Sequence, residues 1–319
     1  MSRFFSVLLT LALAPPAFAQ SYPAKPVKLV VPFAAGGSQD TLARIVGQGL
    51  ATRLGKPVVI ENRPSAGGIV GADYVAKSAP DGYTLLAAEV GPIAVAQSLY
   101  PSLPYDPIRD FAPISLMGRI PMALVVGPSV QAKNVAELID MARARSMTYA
   151  SGGGSGGVGH LAMELFKQLS HTSILHVPYK GGAPALVDVV GGRVDMMVVS
   201  ISTALPHIRS GRARALGTTG RERSPFLPEL PTVAEAGLRD YTVEYWGGVL
   251  APAGTPDEVQ ARLAREIAEA LNIADVRERL AGAGMEPVAT TPAAFAQLIA
   301  ADVARWSKLI REARISADQ

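Results

Sequence analysis

Short runs of β-branched residues alternate with amphipathic stretches along almost the whole chain. Val27-Lys-Leu-Val-Val31 predicts a buried strand by its apolar run. Leu42, Ile45, Val46, Leu50 and Leu54 then recur on one face, and Gly55 stops that helix. Val58 to Glu61 and Thr84 to Ala88 predict two more strands, with a helix through Ala79 between them. The middle of the chain repeats the pattern. Ile114 to Met117, Ala123 to Val126, Met147 to Ala150, Ile174 to Val177, Asp195 to Val199 and Ala213 to Thr218 are strands. Asn134-Val-Ala-Glu137 is a capping box that opens a helix. Glu244 to Ala251 is a late strand. Two helices follow, each announced by Thr-Pro: Thr255-Pro256 ahead of Val259, Leu263, Ile267 and Leu271, and Thr291-Pro292 ahead of Phe295, Leu298, Ile299, Trp306 and Ile310. This alternation predicts an α/β protein whose mainly parallel sheets are flanked by helices.

The predicted strands end in glycine. After the first comes Pro32-Phe33-Ala-Ala-Gly36-Gly37-Ser38-Gln-Asp40, where Ser38 or Asp40 can cap the next helix. After Met147 to Ala150 comes Ser151-Gly152-Gly153-Gly154-Ser155-Gly156-Gly157, with a helix from His160. A third such turn is Tyr179-Lys180-Gly181-Gly182-Ala183-Pro184. Glycine lets backbone N–H groups turn toward one point. A helix opening there adds unpaired N–H donors and the positive end of its dipole, so each turn is a cradle for an anion.

Length and charge narrow the class. Of the 319 residues, the first 19 read as an export signal: Arg3, an apolar run from Phe4 to Leu13, and Ala17-Phe18-Ala19 as the cleavage pattern before Gln20. The remainder suits two lobes, 21–121 with 249–319, and 122–248, the final helices returning to cover the first sheet. The chain has no cysteine, which excludes disulfides and thiol chemistry. The net charge of +3 falls to +2 once Arg3 is removed, and no basic cluster is interleaved with aromatics, which argues against nucleic acid. Among the four histidines there is no i,i+4 pair, so no metal or other cofactor is expected.

Two enzyme readings compete for the central loop. Gly152 to Gly157 satisfies the dinucleotide fingerprint, but His176-Val-Pro-Tyr-Lys180 lacks the acidic residue that would hold a ribose. Gly153-Gly-Ser155-Gly-Gly157 satisfies the nucleophile-elbow pattern of an exported serine esterase, with Asp195 and His207 as its tempting partners. The loop is long and slack where an elbow is tight.

Several longer stretches carry a resemblance. Tyr22-Pro-Ala-Lys-Pro26, Gly36-Gly-Ser-Gln-Asp40, Val59-Ile-Glu-Asn-Arg-Pro64, Pro80-Asp-Gly-Tyr83, His176-Val-Pro-Tyr-Lys-Gly-Gly-Ala-Pro184, Leu230 to Gly237 and Ala251-Pro-Ala-Gly-Thr-Pro256 resemble, in order, the Bug family. These are receptors of tripartite tricarboxylate transporters. The resemblance implies a two-lobed periplasmic binding fold that closes over a small carboxylate, acts as a monomer without catalysis, and delivers its ligand to membrane subunits. A ligand sensor working with a signalling partner would look the same. By the same resemblance the cleft takes Phe33, Gly36, Gly37, Ser38 and Asp40; Glu89 and Gly91; Ser151, Gly152, Gly153, Ser155 and His160; Lys180, Gly181 and Ala183; and Ser200. Three departures stand out: Ala34-Ala35 for two prolines, Val198-Val199 for Phe-Asp, and Glu89 for a small polar residue. A carboxylate at Glu89 repels an anion unless it is protonated, paired with Lys180 or Arg63, or met by a cationic group on the ligand.

Overall fold

The structure is a computed structural model that describes residues 22–152, 156–179 and 181–316. The export signal and its cleavage site lie outside the described residues. So do Gly153, Ser155 and Lys180, three of the expected site residues.

The first sheet gathers β1 (Val27–Val31), β2 (Val58–Asn62), β3 (Thr84–Glu89), β4 (Phe111–Arg119), β10 (Trp246–Pro252) and β11 (Glu286–Pro287), in the order β11-β4-β10-β3-β1-β2. The second gathers β5 (Met122–Val126), β6 (Met147–Ser151), β7 (Ile174–Pro178), β8 (Met196–Ser200) and β9 (Arg214–Thr218), in the order β7-β6-β8-β5-β9. Both sheets are mixed. β2, β1 and β3 run parallel, as do β7, β6 and β8. β10 and β5 run against their neighbours, since each enters from the other lobe. Trp246 to Gly248, expected in the second lobe, pair with β4 and β3 in the first sheet.

Helices cover both faces. α1 (Ser38–Leu54) and α8 (Asp257–Leu271) pack together over the first sheet, joined by α9 (Ala274–Gly282). On the opposite face lie α2 (Ile69–Ala76), the short α3 (Ala96–Leu99) and the long α10 (Pro292–Ala313). α4 (Val135–Ala144), α5 (Val158–Ser170), α6 (Gly182–Val190) and α7 (Ile201–Arg209) belong to the second sheet. α10 touches both β4 and α5, so one core runs between the lobes, from Val30 and Trp306 to Phe166 and Tyr149. The buried Trp246 indole donates to Asp302 at 2.7 Å and meets Phe295 edge-on.

Asn134 caps α4 by accepting from Glu137 N–H at 2.9 Å, and Thr291 caps α10 through Ala294 N–H at 3.2 Å. Thr255 does not cap α8. Its hydroxyl donates to the Pro252 carbonyl at 2.8 Å, and the helix starts after Pro256.

Candidate functional site

The strand directions set the site. β1, β2 and β3 end at one edge of the first sheet, and β4 leaves that edge at Arg119 to become β5. β10 returns there, with Gly247 opposite Glu89 and Trp246 opposite Arg119. In the second sheet Met122 opposes Ser200, so β5 enters at the edge where β8, β6 and β7 end. The glycine turns therefore lie at the two edges joined by the crossing segments, where open α/β sheets hold ligands.

The turns after β1 and β6 are built alike. Gly36 has φ +86° and Gly156 φ +83°, a region costly for any residue with a Cβ. The next residues, Gly37 and Gly157, are the N-caps of α1 and α5, neither with a side-chain cap. Four residues after each left-handed glycine, a side chain takes that glycine's N–H. Asp40 accepts from Gly36 at 2.9 Å, and His160 Nδ1 accepts from Gly156 at 2.8 Å. The first helical bonds are Thr41 N–H to Gly37 and Leu161 N–H to Gly157. The N–H groups of residues 38–40 and 158–160 thus precede any intrahelical partner and point out of each helix end.

Asp40 and Ser38 were expected as caps, and neither is one. Ser38 is the first helical residue. Asp40, buried, braces the turn instead: its carboxylate also accepts from Arg44 at 2.9 Å and Asn62 at 2.8 Å. Burial pushes the Asp40 carboxyl up, but Arg44, Gly36 N–H and Asn62 outweigh it and hold it below the usual range. Asn62 also donates to the Phe33 carbonyl at 3.0 Å, tying the loop to the end of β2.

His160 is equally a brace. It is buried, and its ring stacks on His176 at 4.0 Å with 5° between planes. The Tyr149 ring stacks near both, 4.9 Å from His176 and 6.1 Å from His160. Burial, then the positive charges His176 and Lys167 would carry, depress His160 to about 3, so it is neutral. An Nδ1 that accepts a backbone N–H leaves the proton on Nε2, 3.8 Å from Glu164. Glu164 accepts from Tyr149 at 2.5 Å and pairs with Lys167 at 2.6 Å. Glu164 thus stands one helical turn after His160 as the acid of this cluster. No group of histidine, aspartate and glutamate able to hold a metal occurs among the described residues.

The remaining expected residues sit around these turns. Ser151, fully buried, bonds His176 Nε2 at 2.7 Å. Gly152 packs against the backbone of Gly182, bringing the second and third turns together. Gly181 is the N-cap of α6 and Ala183 lies exposed in its first turn. Ser200 is the N-cap of α7 and its hydroxyl bonds Thr203 at 2.7 Å. Phe33 is half-buried near Gly68.

Glu89, at the end of β3, is buried beside Gly91 and accepts a hydrogen bond from Tyr245, in the returning crossing segment. Burial is the largest influence and raises its carboxyl to about 7, against the pull of Tyr245 and Gly91 N–H. Arg63, one expected partner, is elsewhere, on Glu61 at 2.5 Å and over the Tyr74 ring at 3.6 Å.

Two neighbours escaped the sequence reading. Gln39 lies between Ser38 and Asp40, is buried, and donates to the Ala88 carbonyl at 2.8 Å, while its Oε1 has no partner. Its place in the first glycine turn was the available signal. Tyr245 had none, for it reads as core. The esterase partners do not assemble: Asp195 accepts from Thr148 N–H at 2.8 Å and Arg145 at 3.0 Å, and no hydrogen bond joins it to His207.

A family model described as "Tripartite tricarboxylate transporter family receptor" matches residues 42–315. Protein BugT of Bordetella pertussis (strain Tohama I) is 40% identical over 318 residues, covering 98% of each chain. The R. palustris protein Rpa4515, solved with adipate, superposes with a TM-score of 0.81 at 37% identity, over 92% of this chain and 99% of that one. MatC from Rhodopseudomonas palustris, solved with bound malate, gives 0.77 at 35% identity, over 91% and 100%.

Proposed function

The chain belongs to the tripartite tricarboxylate transporter receptor family, and from that premise we propose that it captures a small carboxylate between its two lobes and delivers it to the membrane subunits of such a transporter. The observation that carries this reading is the matched pair of turns, Gly36 to Asp40 and Gly156 to His160, each with three leading N–H groups at a helix N-terminus. A carboxylate is the simplest ligand that satisfies both, since each oxygen accepts several donors. Relatives solved with adipate and malate point to the same class.

In this reading the lobes are two bodies hinged where the chain crosses, at 120–121 and 243–245. Ser151, Gly152, Gly181, Ala183 and Ser200 line the second half of the cleft; Phe33, Gly36, Gly37, Ser38, Glu89 and Gly91 line the first. Gly153, Ser155 and Lys180 complete it. Asp40 and His160 act from behind, by holding the loops. The protein works as an exported, monomeric binding protein and transforms nothing.

The test is a thermal-shift screen over carboxylic acids and their methyl esters. An acid at 100 times its Kd stabilises a receptor by about 2.7 kcal/mol. Esters that bind as tightly as the acids, or no acid that binds, would defeat the reading.

A further inference from the structure

Of the two acidic residues expected in the cleft, Asp40 is paired with Arg44 and Glu89 meets only a tyrosine hydroxyl and a backbone N–H. Glu89 stands at the cleft edge of β3, next to Ala88, whose carbonyl receives Gln39 from the first glycine turn. Its carboxyl is buried. The groups on it are the Tyr245 hydroxyl and the Gly91 N–H, both neutral.

The charged groups on the elements packed around it are engaged elsewhere: from β1, Lys28 pairs with Glu61 at 2.7 Å, and from α2, Asp73 pairs with Lys77 at 2.6 Å. From α1, Asp40 is spent on Gly36, Arg44 and Asn62. From β4, Arg119 lies 3.8 Å from Glu244 of the returning segment. From α10, Asp302 takes Trp246 and Arg305. The turn Gly91–Val95 brings no charge. Among the described residues no cation reaches Glu89. A buried carboxylate without a cation is costly, and a second carboxylate held by the cradles beside it raises that cost.

Taking the carboxylate-receptor reading as its basis, we propose that Glu89 is a neutral carboxylic acid in the ligand-bound receptor, so that wherever free Glu89 is ionised each carboxylate is bound together with one proton from solvent. Glu89 thereby sets the ligand chemistry. A neutral acid accepts an anion nearby and gives no advantage to a ligand with an ammonium group. The sign follows from linkage. A group that binds its proton more tightly in the complex strengthens binding at low pH and weakens it as pH rises through the free protein's value, here about 7.

The test uses the wild-type exported chain with adipate, malate, benzoate and L-aspartate as probes. Their carboxyls are ionised throughout a range from about pH 6 to about pH 8.5, where His160 is already neutral. The expected result is an affinity for the non-amino probes that falls by up to about tenfold per pH unit above about 7. Calorimetry in two buffers of different ionisation heat should count close to one proton taken up at about pH 8.5 and close to none at about pH 6, where free Glu89 is already protonated. Glu89→Gln should bind with a flat pH profile and no proton uptake. Tyr245→Phe, which removes a donor to the ionised form, should move the fall in affinity to higher pH. A pH-independent wild-type affinity would overturn the proposal and point to a standing cation, with Lys180 the candidate. An affinity that rises with pH, with L-aspartate preferred and binding lost in Glu89→Gln, would overturn it in favour of an ionised Glu89 that grips an ammonium group. Absence of binding by all four probes would strike the carboxylate reading itself, and this proposal with it.

Discussion

Gly156 and Leu99 meet where the central loop of the second lobe rests on α3 of the first: a Cβ on Gly156 would collide with Leu99 Cδ1. Gly36, its counterpart in the first lobe, has the same left-handed backbone and open space around its missing Cβ. Identical substitutions at the two glycines should therefore differ. Gly36→Ala carries only the backbone strain, about 1 kcal/mol. Gly156→Ala carries that strain and the collision. Melting temperatures should rank Gly156→Ala below Gly36→Ala, and Leu99→Ala should recover part of the loss in the Gly156 background. Equal losses, or no recovery, would mean that the loop does not bear on α3.

His160 holds the second cradle through Gly156 N–H, so a replacement without an acceptor strands that donor. His160→Ala should cost about 1–3 kcal/mol for the unpaired N–H, with further loss from the broken ring stack. His160→Asn should recover part of it. Chemical denaturation of the three proteins checks this.

The same residue predicts an acid limb in stability. The His160 pKa is lower in the fold, about 3, than its ordinary 6.5. The neutral form is thus the folded one. Its contribution is complete above 6.5 and is lost as pH falls from there toward 3. Unfolding free energy measured across that window should drop in the wild type and drop less in His160→Asn. Parallel profiles would show that His160 is not the group responsible.

Asp40 should behave as a brace and not as a ligand contact. Asp40→Asn keeps an acceptor for Gly36 but loses the Arg44 ion pair, so carboxylate affinity should fall modestly, by a few-fold. Asp40→Ala leaves Gly36 N–H and Asn62 without their partner and should cost more in both stability and affinity. Titration calorimetry beside melting curves separates the two. A charge-removing Asp40→Asn that improved affinity strongly would instead place the carboxylate against the ligand.

The expected export signal gives a simple mass prediction. Protein recovered from the periplasm of an expressing cell should begin at or near Gln20, the residue after Ala17-Phe18-Ala19. Intact mass spectrometry decides it, and a full-length mass would refute it.

What the sequence determined by itself is local. β-branched runs such as Val27 to Val31 form strands because those side chains suit a buried pleated surface. Glycine pairs open helices after them because only glycine takes φ +86° or +83° without strain. Those rules act within a few residues, so the elements, the α/β class and the position of both cradles were legible. Even the Gly156 to His160 and His160 to Glu164 contacts span only four residues and were there to be read. Tertiary structure decided what those cradles face and what holds them. Gly37 became the N-cap of α1 because Asp40 was drawn to Arg44 and to Asn62 of another strand. His176 met Ser151 and His160 because β7 lies beside β6. Glu89 met Tyr245, 156 residues away, because β10 returns antiparallel to β3. Burial and charge depend on such distant neighbours, and no local spacing encodes them. That is why the chain alone left the charge of Glu89 open, and why its reading now rests on the fold around it.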